Sequence, residues 1–263
     1  MEVKRQMIGS YDNREFPVLI IRSKHIGKDV PALIYYHGGV FFLEASSAHK
    51  KSAFLYAQQS KCAVIFPLFR LSIQNKFPTT IEDSYATLIW TAQHARQIGI
   101  DPNRIAIGGD SSGGSITAVV SQMALDRKEV NICFQMLIYA AFDHTMSFKS
   151  MKKYTDAPFS NTKTFEVMWS EYLDGIEIIP DYVSALQRVD LRNLPPAYIE
   201  TAEFDPTHDE GVWYAHKLQE AGVNVELNET KGTIHAYDVV NNSPITIENW
   251  NKRINALRKS FNN

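Results

Sequence analysis

Short apolar runs alternate with longer amphipathic stretches along this chain. FPVLIIRS (16–23) has the character of a strand, and the segment at 2–9 is its natural partner. PALIYYHGG (31–39) is aliphatic and aromatic and ends in glycines, the pattern of a strand running into a tight turn. CAVIFPLF (62–69), RIAIGGD (104–110) and ICFQMLIYA (132–140) predict three further strands. Residues 47–60, 79–98 and 112–127 suit helices. The second of these carries Ile81, Tyr85, Leu88, Ile89 and Ala92 on one side, and GIDPNR (99–104) breaks it. Across 144–186 the rhythm changes to polar and aromatic helix-like pieces with no clear strand. It resumes with a strand in PPAYIETAEFD (195–205), a helix at 208–221, a strand at 223–229 and a last helix near 244–261.

Alternation of this kind over 263 residues predicts an α/β fold, a parallel sheet with helices on both faces. A single domain spanning 1–263 is expected, with 144–186 as a cap-like insert above the C-terminal edge of the sheet, where α/β active sites form. Hydrophobic residues make up 44% and charged residues 21%, which excludes a disordered tail or a collagen-like repeat. Against 29 acidic residues stand 27 basic ones, so nothing electrostatic calls for nucleic acid or anionic lipid. Cys62 and Cys133 lie in apolar runs and are expected as buried free thiols. No CxxC or HExxH spacing suggests a metal site. The N-terminus has no apolar signal-like core, and no run approaches the roughly 18 apolar residues of a membrane span, so a cytoplasmic protein is expected.

The chemistry concentrates in IAIGGDSSGG. Gly109 to Gly113 match G-x-S-x-G, with an apolar strand before and a helix-forming stretch after. That context holds a serine, Ser111, at the tip of a sharp turn near a helix N-terminus. A serine hydroxyl needs a base. Of eight histidines, His25 and His49 look like surface residues. His208 and His235 are the serious candidates, and His235 is favoured because KGTIHAYD falls between the last strand and the last helix. The base needs a carboxylate, for which Asp205, at a strand end before Pro206, is chosen over Asp143. Gly38 and Gly39 in YYHGGVFF allow the backbone to turn N–H groups toward the serine, and Ser112 supplies another N–H. His37 is expected to brace that loop.

Together these pieces resemble the hormone-sensitive-lipase family of α/β-hydrolase carboxylesterases, from about residue 31 to the C-terminus. YYHGGV is similar to the family's HGGG motif, GGDSSGG to its GDSAGG elbow, PPAYIETAEFDPTHDEG to its acid motif and GTIHAYD to its histidine loop. The resemblance implies an eight-stranded, mostly parallel sheet. It implies Ser111 as nucleophile, Asp205 as acid, His235 as base, and an oxyanion hole from Gly39, Val40 and Ser112 with Gly38 shaping the loop. It also implies small or short-chain acyl esters as substrates and no cofactor.

Three departures stand out. Val40 replaces the third motif glycine, which restricts the loop. FRLSIQ (69–74) stands where the family has YRLAPE. The stretch before the first motif is shorter than is usual, leaving 144–186 to cover a more open pocket, or a pocket closed by a homodimer partner. Phe41, Phe42, Phe159, Phe165, Trp169 and Tyr172 are candidates to line it. Action on an amide, peptide or lactone remains an alternative on the same triad. So does a non-catalytic small-molecule receptor of the same fold, against which the presence of His235 argues.

Overall fold

The computed structural model describes residues 1–262. Eight strands form one sheet: β1 (Glu2–Gly9), β2 (Glu15–Arg22), β3 (Val30–Tyr36), β4 (Ala63–Pro67), β5 (Ile100–Asp110), β6 (Phe134–Ile138), β7 (Ala197–Ala202) and β8 (Val225–Thr230). Their spatial order is β1-β2-β4-β3-β5-β6-β7-β8. β1 and β2 form an antiparallel hairpin, β2 runs antiparallel to β4, and every pair from β4 to β8 is parallel. The expected eight-stranded, mostly parallel α/β architecture is therefore what the chain forms.

β3, β4, β6 and β7 are buried almost throughout because helices cover both faces of the sheet. The period of two still sorts their side chains. Ala32, Ile34 and Tyr36 join the core under α2 (Thr79–His94), α3 (Ser112–Arg127) and α6 (His208–Glu220). Leu33 and Tyr35 join the core under α1 (Ser47–Gln59) and α7 (Pro244–Ser260). The segment 144–186 carries α4 (Lys149–Lys153) and α5 (Thr162–Tyr172) and no strand. Phe165, Met168, Trp169 and Tyr172 anchor α5 to the core beneath it.

Three local expectations need correction. The helix expected over 79–98 does end before GIDPNR, but at His94. β5, expected from 104, starts at Ile100, which pairs with Val30 ahead of a register shift, after a turn over 95–99 that ends in Gly99 at positive φ. Cys62 is buried as expected, whereas Cys133 is half-buried; both are free thiols.

Candidate active site

β5 carries Asp110 to the carboxyl edge of the sheet, and the chain reverses into α3 through Ser111. The reversal is tight. A Cβ on Gly113 would lie 2.1 Å from the Tyr36 carbonyl oxygen, and one on Gly109 would lie 2.4 Å from the Gly113 backbone. No residue but glycine fits either place. Ser111 itself sits at φ 53°, a strained position for a residue with a side chain. Two backbone hydrogen bonds hold it there. Its N–H donates to Ile138 O at 2.9 Å, and its carbonyl accepts from Ser115 N at 3.1 Å.

The loop after β8 swings His235 over this turn. His235 Nε2 lies 2.8 Å from Ser111 Oγ, and Nδ1 lies 2.7 Å from Asp205 Oδ2. A carboxylate only accepts, so Nδ1 carries the proton and Nε2 presents a lone pair to the serine hydroxyl. Asp205 follows the end of β7 and is fully buried. Its other oxygen accepts the Thr207 N–H at 2.9 Å, which fixes the carboxylate plane. Tyr139 and Phe165 pack edge-on against the imidazole at 4.9 and 5.3 Å. Phe165 comes from the segment 144–186, so that segment covers one side of the imidazole.

The HGG loop faces the same point. Gly38 lies against Asp110 and Ser111, where a Cβ would meet Asp110 Oδ2 at 2.6 Å. The Gly39 carbonyl accepts the Phe42 and Leu43 N–H groups, closing a compact turn through Gly39, Val40 and Phe41, all at positive φ. The N–H groups of Gly39, Val40 and Ser112 have no partner among the described residues and remain available. Val40 holds φ 52° although it is β-branched, so the loop keeps the turn of the glycine it replaces at a cost in strain.

Other candidates fall elsewhere. His208 faces Asp209 at 3.0 Å and Glu229 at 3.4 Å. Asp143 accepts from the backbone and hydroxyls of Thr145 and Ser147, which hold its carboxyl below the usual range despite burial. Among the described residues it makes no hydrogen bond with His235, whose Nδ1 is paired with Asp205. His37 braces the loop as expected: it stacks on Phe69 at 4.4 Å, and Nδ1 pairs with Gly38 O at 2.7 Å. Burial pulls it down to about 4, so it stays neutral at neutral pH.

Three roles escaped the sequence. His49, expected on the surface, lines the cavity beside Ser111, and its Nε2 pairs with Asp110 Oδ2 at 3.3 Å. Burial opposes its charge, yet Asp110 prevails and raises it. The Ser112 hydroxyl accepts the Phe41 N–H at 3.3 Å and so ties the HGG loop to the elbow. Arg253 of α7 is buried, bonded through Nε to Glu200 Oε2 at 3.1 Å and through NH1 to Asp238 Oδ2 at 2.5 Å. Spacing signals none of these.

The cavity has a volume of about 400 Å³. Of the six aromatic residues expected to line it, only Phe159 does. Phe41 stacks on Tyr172 at 4.1 Å instead, inside the core with Phe165 and Trp169. Among the described residues, no helix is long and apolar enough to cross a membrane, and no cluster of three metal-ligating side chains occurs.

Residues 33–239 match a family model described as alpha/beta hydrolase fold. Carboxylesterase NlhH of Mycobacterium tuberculosis is 33% identical over 242 residues, covering 90% of this chain and 76% of the relative. Ethyl acetate hydrolase of Pseudomonas putida is 32% identical, covering 86% of this chain and 72% of that one. The solved structure of a bacterial heroin esterase superposes with a TM-score of 0.95 at 29% identity, covering 99% of this chain and 84% of that chain.

Proposed function

The chain belongs to the α/β-hydrolase family, in its hormone-sensitive-lipase-like branch, and from that premise we propose that Ser111, His235 and Asp205 hydrolyse small carboxylic esters through an acyl-enzyme. The protein is a carboxylic ester hydrolase. One observation carries the assignment of its machinery: the continuous contact from Asp205 through His235 to Ser111, at 2.7 and 2.8 Å. We also read the chain as one hydrolase unit, with 144–186 as a cap-like insert.

In this reading the ester carbonyl docks with its oxygen toward the N–H groups of Gly39, Val40 and Ser112. His235 Nε2 takes the proton of Ser111 as Oγ attacks, and Asp205 stabilises the imidazolium. The free N–H groups match the negative charge that develops on oxygen, in a site already organised for it. The imidazolium returns its proton to the leaving alcohol. Water then attacks the acyl-enzyme with the same histidine as base, releasing the acid. A cavity of about 400 Å³ suits a short ester.

Hydrolysis of p-nitrophenyl esters from acetate to dodecanoate, with Ser111→Ala as control, tests the assignment. Turnover should peak at short chains and vanish in the variant. A folded Ser111→Ala protein keeping more than about a thousandth of the wild-type rate would remove Ser111 from the role.

A further inference from the structure

One wall of the cavity carries hydrogen-bonding capacity that the triad chemistry does not use. It belongs to α1, where Ala48, Ser52 and Tyr56 recur at four-residue steps and so share the face turned to the cavity. Tyr56 is 1% exposed. Its ring is held by Tyr35 at 5.4 Å and Trp250 at 4.7 Å, so its position is fixed by packing. Its hydroxyl nevertheless makes no hydrogen bond with any described residue, and neither does the hydroxyl of Ser52 one turn earlier. The hydroxyl is not sealed off but opens onto the cavity, so its partner is whatever enters there. The other two tyrosines lining the cavity are paired within the protein. Tyr35 donates to Asp110 at 2.5 Å, and Tyr139 donates to Asp238 at 2.8 Å. Ser52 and Tyr56 are left as open valences facing the space that a substrate fills.

We propose that Ser52 and Tyr56 form a subsite for a neutral hydroxyl group, and that the preferred ester bears such a hydroxyl away from its scissile bond. The inference rests on the esterase reading above. The charges around the cavity select a neutral group. Arg253 is already shared between Glu200 and Asp238, and His49 is already paired with Asp110. Among the described residues that line the cavity, no cation is free to receive a carboxylate, which would also lie in the same cavity as Asp110 and Asp238. A hydroxyl meets both kinds of partner: Tyr56 can donate to its oxygen, and its proton can go to Ser52 Oγ or to a carboxylate of the wall.

The test compares kcat/KM for 4-methylbenzyl acetate, 4-(hydroxymethyl)benzyl acetate and 4-carboxybenzyl acetate. A second pair, methyl 4-methylphenylacetate and methyl 4-(hydroxymethyl)phenylacetate, presents the hydroxyl from the acyl side. In at least one series the hydroxymethyl ester should exceed its methyl analogue by about tenfold, mainly through KM, and the carboxylate should fall below the methyl ester. Tyr56→Phe should bring the hydroxymethyl-to-methyl ratio to about one, and Ser52→Ala should lower it by about threefold. Each ratio is internally normalised, so a partly folded variant still reports. A wild-type ratio of one or less in both series overturns the subsite, as does a ratio unchanged in both variants or a carboxylate turned over as well as the hydroxymethyl ester. Loss of Ser111-dependent turnover on the methyl esters themselves would instead overturn the esterase reading, and the subsite with it.

Discussion

Asp205→Asn tests the proton relay with almost no change in shape. Asp205 Oδ1 accepts the Thr207 N–H at 2.9 Å, while Oδ2 faces His235 Nδ1 at 2.7 Å. In the variant the amide oxygen keeps the Thr207 bond, because that partner can only donate. The amide NH2 must then turn to the imidazole. It donates to Nδ1, which drives the imidazole proton to Nε2, 2.8 Å from Ser111 Oγ. A protonated Nε2 cannot take the serine proton, so the base is lost although every atom is nearly in place. The expected fall in kcat/KM is about 10⁴-fold, or about 5 kcal/mol of transition-state stabilisation. The assay is initial-rate hydrolysis of p-nitrophenyl butyrate, with a melting curve beside it. The melting temperature should move by less than about 4 °C, since no volume is added or removed. A loss smaller than about a hundredfold in a folded variant would show that Asp205 does not set the tautomer of His235.

Two further outcomes concern stability. Arg253→Met strands Glu200 and Asp238, so urea unfolding at pH 7 should show a loss of about 3–5 kcal/mol. Glu200→Gln in the same background should recover part of it, and a loss under about 1 kcal/mol or no recovery would contradict the buried network. His37 falls from its ordinary 6.5 to about 4 on burial, so between those pH values the unfolded chain holds more protons and stability rises with pH. The contribution is up to about 3 kcal/mol, fully present above pH 6.5 and lost as pH drops to 4. His37→Asn should flatten urea midpoints across that window, and an unchanged slope would exclude His37 as the cause.

The elements legible in the sequence were those written locally. An apolar run that meets Gly-x-Ser-x-Gly and then a helix-forming stretch admits few structures, and Gly109 and Gly113 turn out to be sterically obligatory there. Ser111, Asp205 and His235 could be singled out because each lies just beyond a recognisable strand, and the fold brings the three side chains together. What stayed hidden depends on distant partners. His49 reads as a polar residue in a first helical turn, and nothing near it in the chain announces Asp110. Arg253, in NWNKRINALRKS, looks like one more solvated base until Glu200 is brought beneath it. The aromatic residues misled for a related reason. Phe41, Trp169 and Tyr172 are as apolar as a pocket wall requires, but α5 packs them against one another, and the wall is left to α1 and the histidine loop.

The ion network around Arg253 also ties two distant parts of the chain into one device. Helix α7 lies far from β7 in sequence, yet its Arg253 guanidinium joins Glu200 of β7 to Asp238, three positions beyond His235. The loop bearing the histidine is thus tethered from outside itself. Loosening α7 should therefore lower turnover before it disturbs the elbow, a difference that activity and local amide exchange read together.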